Sequence, residues 1–389
     1  MPAPPAESTL IDPVMRLPLE LSSEIFLQSL PSTPDMQAVA TLLQISRGWT
    51  AIALATPPLW TNITNNGVEH SKFLALLTTW LDRGGEFPVS LSLNPISRAR
   101  FEDILDTLKP HAHRVQSLRL LRVVEGLDKI YVFVALKSLT IDGCHNRHIS
   151  CNTADIVHIL RCSPNLEEFN LLNGCYNGSK LSQQTSLTHS SLRRLRFGES
   201  EAMQHHSCAQ ISRHLTLPSL DTLCISEFIH ICVEDLVGFL TRSSPPLRSV
   251  HLGLCGGLDM DGIRQCFTLF SIVTELEIIY PVNIVCNFFH ILATVPEALP
   301  ALQNLRITGC LGMASDFESV LAGVVQRRTV LRSIRLVTSH PFRDRCFSRY
   351  KAAAFRQIAN DGMDIYIGTP DRNFLSVLYV MIQLTACSR

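Results

Sequence analysis

The pattern apolar-x-x-apolar-x-apolar recurs nine times along this chain, and no other feature limits its fold so tightly. It occurs as Val115-Leu118-Leu120, Leu136-Leu139-Ile141, Leu166-Phe169-Leu171, Leu192-Leu195-Phe197 and Leu220-Leu223-Ile225. It continues as Leu247-Val250-Leu252, Val273-Leu276-Ile278, Leu302-Leu305-Ile307 and Leu331-Ile334-Leu336. Successive starts lie 21, 30, 26, 28, 27, 26, 29 and 29 residues apart. The alternating apolar residues that close each triplet predict a short strand packed on one face. The intervals predict helices at Thr153 to Leu160, Val233 to Leu240, Gly262 to Phe270, Phe288 to Val295 and Phe317 to Gln326. One such strand and helix cannot bury its own apolar face, but stacked copies share a core, so the period predicts a solenoid of parallel strands. Four strands are approached through Pro164, Pro218, Pro246 and Pro300, which bias the chain to an extended path at their starts.

In this arrangement the triplet side chains point inward and the residues between them share the opposite face. Those are Arg119, Thr140, Asn170, Arg196, Cys224, His251, Glu277, Arg306 and Arg335. Arg119, Asn170, Arg196, His251, Glu277, Arg306 and Arg335 are the candidate substrate-facing residues, because charge and hydrogen-bonding groups on an extended face set the specificity of a protein partner.

The rest of the chain divides, by composition, into a disordered tail at 1–13, a helical domain at 14–65, a bridge at 66–110, the repetitive region at 111–369 and a tail at 370–389. In the helical domain Leu17, Leu21, Ile25 and Phe26 recur at helical spacing behind Pro18, and Leu30-Pro31 stops the run. Leu42, Ile45, Trp49, Ile52 and Ala53 form a second stripe ending before Pro57-Pro58, and Leu59, Trp60 and Ile63 close the unit. The bridge predicts helices from about Ser71 to Leu81 and Ala99 to Leu108, around a strand at Val89 to Leu93.

Lys and Arg total 34, as do Asp and Glu, so no electrostatic footprint points to nucleic acid or to an anionic membrane. The N-terminus lacks a secretory pattern and no apolar run is long enough to span a bilayer, which predicts an intracellular protein of cytoplasm or nucleus. Thirteen cysteines, an odd number, are read as reduced. Cys144, Cys175, Cys255 and Cys310 follow strands and are read as small hydrophobes. Cys144, His148 and Cys151 make the most metal-like group, but a closed zinc site needs a fourth ligand. His205, His206 and Cys208 are weaker still. Phosphate-binding, nucleophile-elbow and zinc-helix motifs are all absent, so no catalytic residue, cofactor or metal is expected, and the chain is not read as an enzyme. The pair Arg327-Arg328 is read as helix-end charge.

A resemblance adds to this reading. Leu17-Pro18-Leu19-Glu20-Leu21-Ser22-Ser23-Glu24-Ile25-Phe26, then Leu42 to Ala53 and Thr56-Pro57-Pro58-Leu59-Trp60, resemble an F-box, most closely the F-box-like proteins of mushroom-forming fungi. Thr79-Trp80-Leu81-Asp82-Arg83-Gly84-Gly85 and Pro88 to Leu93 are similar to the segment that follows it in that group. The resemblance implies an α/β chain in which a small all-helical F-box-like module precedes an irregular leucine-rich-repeat horseshoe, an α/β solenoid. It implies the substrate-receptor subunit of a ubiquitin ligase, which binds a Skp-type adaptor, and through it a cullin and RING subunit, and holds a target protein on the repeats. By motif position Leu17, Pro18, Leu21, Ile25, Phe26, Leu43, Ile45, Trp49, Ile52, Leu59 and Trp60 would then bind the adaptor. Gly48 departs from the family pattern, which carries a long side chain there, and the connection from Leu30 to Thr41 is longer than in the minimal motif. The alternative reading is an interaction scaffold that uses the repeats without joining a ligase.

Overall fold

The computed structural model describes residues 12–30, 36–65, 69–94, 98–121, 127, 130–143, 150–172, 175–177, 186–198, 209–225, 233–253, 260–279, 285–309, 314–338 and 349–375. Contacts divide the chain into two compact units, Met1–Ile141 and Asp142–Arg389. The boundary therefore falls within the repeats, whereas composition drew its lines at 65, 110 and 369.

In the first unit, α1 (Leu19–Ser29), α2 (Met36–Ile45) and α3 (Arg47–Leu54) precede β1 (Asn62–Thr64). Then follow α4 (His70–Arg83), β2 (Val89–Leu93), α5 (Arg98–Leu108), β3 (Val115–Leu121) and β4 (Ser138–Asp142). The four strands lie side by side in sequence order, with β1, β2 and β3 parallel. The stripe from Leu42 to Ala53 is two helices rather than one. Ser46 separates them in an extended conformation, and its Oγ accepts the Trp49 amide proton as the cap of α3 at 3.2 Å. Two aromatic contacts tie the helices together. Phe26 stacks on Trp49 at 4.8 Å, and Trp60 meets Trp80 edge-on at 4.9 Å while its Nε1 donates to the Ala53 carbonyl at 2.9 Å.

In the second unit the strands run β6 (Glu168–Leu172), β9 (Arg194–Phe197), β11 (Thr222–Ile225), β12 (Ser249–Gly253), β13 (Glu275–Ile279), β14 (Asn304–Thr308), β15 (Ser333–Val337) and β16 (Asp364–Thr369). All eight are parallel neighbours, and β17 (Arg372–Asn373) returns antiparallel along β16. The short pairs β5 (Ser150–Asn152) with β7 (Cys175–Asn177), and β8 (Leu187–Thr188) with β10 (Leu215–Thr216), are separate. Helices α6 (Thr153–Cys162), α7 (Ala209–Ser212), α8 (Val233–Ser243), α9 (Met260–Leu269), α10 (Val285–Thr294), α11 (Ala314–Arg327) and α12 (Arg349–Asn360) fill the intervals. This is a mixed α/β fold built on a large, mostly parallel sheet, with the strand-and-helix repetition of a solenoid.

Every one of the triplet residues is buried, the most accessible being Ile225 at 5%. Full burial of such a side chain contributes about 1.5–3 kcal/mol, so the period is also the map of the core. A tenth strand, β16, escaped the pattern because Gly362 occupies the first triplet position, although Ile365 and Ile367 fill the other two. The expected tail at 370–389 begins with structure: Phe374 and Leu375 are buried behind β17, and 376–389 lie outside the described residues.

Successive layers are also fastened by arginines. Arg327, at the end of α11, donates to the carbonyls of Leu292, Pro296, Val295 and Ala298 at the end of α10, at 2.9, 3.1, 2.7 and 2.9 Å. Arg242 of α8 reaches the carbonyls of Ser212 and Leu215 at 2.7 and 3.1 Å, and Arg114 in the first unit reaches those of Leu81 and Phe87 at 3.0 and 3.1 Å. Each spans about one repeat and satisfies carbonyls that a helix end leaves unpaired.

Candidate functional site

Two surfaces emerge, one in each unit. In the first, Leu21 and Ile25 follow one another at an interval of four along α1, with Leu17 four residues ahead in the turn before the helix; the three are exposed by 40% (Leu17), 55% (Leu21) and 45% (Ile25). Ser22 and Phe26, one position on, are the residues that α1 buries. The helix thus keeps one apolar stripe for the core and leaves a second in solvent. Pro18, the N-cap of α1, is exposed beside the stripe, as are Met15, Leu19 and Ile45. Scattered exposed leucines are ordinary on a protein surface, but a stripe at helical spacing is not.

Four residues of the expected adaptor-facing set stand elsewhere. Phe26, Ile52, Leu59 and Trp60 are buried in the module's own core, at 0, 7, 1 and 1% exposure. They hold the helices in place and offer a partner no surface, because a domain of this size needs its largest side chains inside. Leu43 and Trp49 are half-buried. At Gly48 a Cβ would meet the Sδ and Cγ of Met15, a flexible and exposed side chain that can swing aside.

In the second unit the residues between triplet positions form a ladder in register. Asn170 pairs with Arg196, Arg196 with Cys224, Cys224 with His251, His251 with Glu277, Glu277 with Arg306, Arg306 with Arg335, and Arg335 with Tyr366. Neighbouring strands sit about 4.8 Å apart, so each rung can bond to the next. Glu277 is the hub of this face. One carboxylate oxygen meets His251 Nδ1 at 2.8 Å and the other accepts from Arg306 Nε at 3.1 Å. The hydrogen bond from His251, together with the nearby Arg306 charge, holds the Glu277 carboxyl below the usual carboxylate range, against a smaller opposing effect of burial. Arg335 lies over the Tyr366 ring at 5.9 Å and 3.8 Å from Asp364. At the other end Glu168 accepts from Asn170 at 2.8 Å and pairs with Arg194 at 3.1 Å. Arg119 belongs to the first unit, where it is exposed and in register with Ser92. Tyr366 completes the ladder and was missed with its strand.

The side chains of Cys144, His148, Cys151, Cys175, His205, His206, Cys208, Cys255 and Cys310 lie outside the described residues. Among the described residues no three potential metal ligands converge, and no helix is long and apolar enough to cross a membrane. The buried Cys266 thiol is pushed up to about 12 by desolvation, and so packs as a hydrophobe.

No family model matches this chain, and no curated protein matches it. Among solved structures, a chain from "Crystal structure of TLR13-ssRNA13 complex" is similar over 76% of this chain and 43% of its own length. The identity is 13% and the TM-score 0.36. This chain thus spans less than half the length of that one.

Proposed function

We propose that this chain is a protein-interaction scaffold whose work is binding rather than chemistry, with a target protein held on the ladder face of the second unit. The observation that carries this is the ladder itself. Eight side chains in register give one continuous polar face, and its ion pairs fix Glu277 and Arg306 before a partner arrives. Preordered polar groups give an interface its specificity at small entropic cost. The test places a photo-crosslinking residue at His251 or Arg335, and as a control at Arg264 on the exposed side of α9. The expected result is a discrete protein adduct from the two ladder positions and none from Arg264. Equal labelling from all three would refute the assignment of the face.

A second reading couples the scaffold to ubiquitination through a Skp-type adaptor, and the exposed stripe of Leu17, Leu21 and Ile25 favours it. Interface energy concentrates in aliphatic and aromatic anchors, and these three lie where the F-box resemblance expects contact. Co-purification with a Skp-type adaptor, comparing wild type with Leu21→Glu/Ile25→Glu, tests this directly. Both positions are in solvent, so the variant keeps its fold. Adaptor recovery from wild type that vanishes in the variant supports the ligase reading, and a folded wild type that recovers no adaptor removes it.

A further inference from the structure

A groove of about 380 Å³ opens between α2 and α4, over the start of the first unit's sheet. Ala40 and Leu43 form one wall and Leu76 forms the other, with the buried Trp60 and Trp80 packed behind its floor. Arg83 stands at its edge, the one charged side chain among the described residues of the lining. The Trp60 indole proton is committed to the Ala53 carbonyl and the ring is buried, so Trp60 backs the groove without presenting a polar group to it. Arg83 lies over that ring at 4.5 Å, and among the described residues no carboxylate pairs with it. The stacking orients the guanidinium while leaving its fork of donors for an outside acceptor.

We propose that this groove docks a linear segment of a partner protein in which a bulky apolar side chain sits beside a carboxylate. Pockets that enclose small ligands span about 300–1,000 Å³, so this one has room for one or two large side chains. Among the described residues the lining has a single positive charge and no negative one, and a guanidinium fork binds a carboxylate with two parallel hydrogen bonds. The chain as a whole has equal numbers of acidic and basic residues, so attraction for an acidic segment must come from a local group such as Arg83. The groove shares Leu43 and Trp60 with the set that the F-box resemblance gives to an adaptor but not the exposed stripe of Leu17, Leu21 and Ile25, so peptide binding retained in Leu21→Glu/Ile25→Glu separates this inference from adaptor binding.

The probes are two capped tetrapeptides, acetyl-Glu-Leu-Phe-Glu-amide and its neutral counterpart acetyl-Gln-Leu-Phe-Gln-amide, with phenylacetate as a small-acid control. Binding to the full chain is followed by saturation-transfer NMR and tryptophan fluorescence, with a thermal melt to verify the fold of each variant. The acidic peptide should bind about tenfold more tightly than the neutral one, the size expected for hydrogen bonds to a charged group. Arg83→Gln should erase that preference, Arg83→Lys should keep part of it, and Leu76→Ala should weaken both peptides. The proposal is overturned if neither peptide binds, if the two bind equally, or if Arg83→Gln leaves the preference intact. Phenylacetate binding as tightly as the acidic peptide would instead mark a small-ligand pocket and also overturn it.

Discussion

Replacing Arg327 by Met should loosen the joint between α10 and α11 while the same change at Arg328 does almost nothing. The two arginines adjoin in sequence, yet only the first turns back to the α10 terminus, where it donates to four carbonyls at 2.7–3.1 Å. Four such bonds contribute about 4 kcal/mol at a net of about 1 kcal/mol each. The cation at a helix C-terminus adds about 0.5 kcal/mol, and ordering the long side chain costs about 2 kcal/mol. The expected loss for Arg327→Met is therefore about 2–3 kcal/mol, against no more than about 0.5 kcal/mol for the exposed Arg328. Arg327→Lys should fall between them, because one ammonium cannot reach four carbonyls spread across a helix end. Urea unfolding gives the total change, and native-state hydrogen exchange locates it. The α10 amides should lose protection in Arg327→Met, with those of β6 and β9 unchanged, since repeats open locally. A loss below about 0.5 kcal/mol for Arg327→Met, or equal effects at the two positions, would refute the claim that this arginine fastens the layers.

Glu277 supplies a pH-dependent prediction. Its carboxyl titrates lower in the folded chain than the ordinary value of about 4.3, so it contributes stability above that pH and loses it as pH falls through the folded value. The stability difference between wild type and Glu277→Gln should accordingly be largest near neutral pH and shrink under acid; a difference that stays flat down to acid unfolding would contradict the assignment. At Gly368, an added Cβ would run into the Arg372 carbonyl across the β16–β17 hairpin. Gly368→Ala should open that hairpin and expose Phe374 and Leu375, at a cost of about 2 kcal/mol or more, as with other overpacked sites. Unchanged protease sensitivity around residue 372 would count against it.

The legible parts of this chain were those written as a period. Leu223, Val250 and Leu276 could be assigned to the core because each occupies the same place in a recurring triplet. Ala99 to Leu108, Val233 to Leu240 and Phe317 to Gln326 read as helices because their apolar residues return at 3.6. Gly362 hid β16 by removing one member of the pattern, and Ser46 divided a stripe whose apolar spacing runs on across it. The residues between triplets could be assigned to one face before any coordinate was known, but not their partners. That His251 and Arg306 both hold Glu277 depends on register between strands 26 and 29 residues apart.

The helical module shows the same division from the other side. The F-box resemblance placed Leu17, Leu21, Ile25, Phe26 and Trp60 in one adaptor-binding set, with no means of telling an anchor for a partner from a support for the core. Packing made that distinction, because Phe26 lies against Trp49 of α3 and Trp60 against Trp80 of α4, whereas Leu21 and Ile25 are exposed. What the sequence by itself determined was the repeat, and with it the sheet, the core and the residues that share the opposite face of the strands, since burial of a periodic apolar set has one efficient solution. Which arginine fastens a layer and which faces solvent, which leucine is covered, and how Arg83 comes to lie over Trp60 were decided only in the tertiary structure. These depend on distances between residues that the period leaves unrelated.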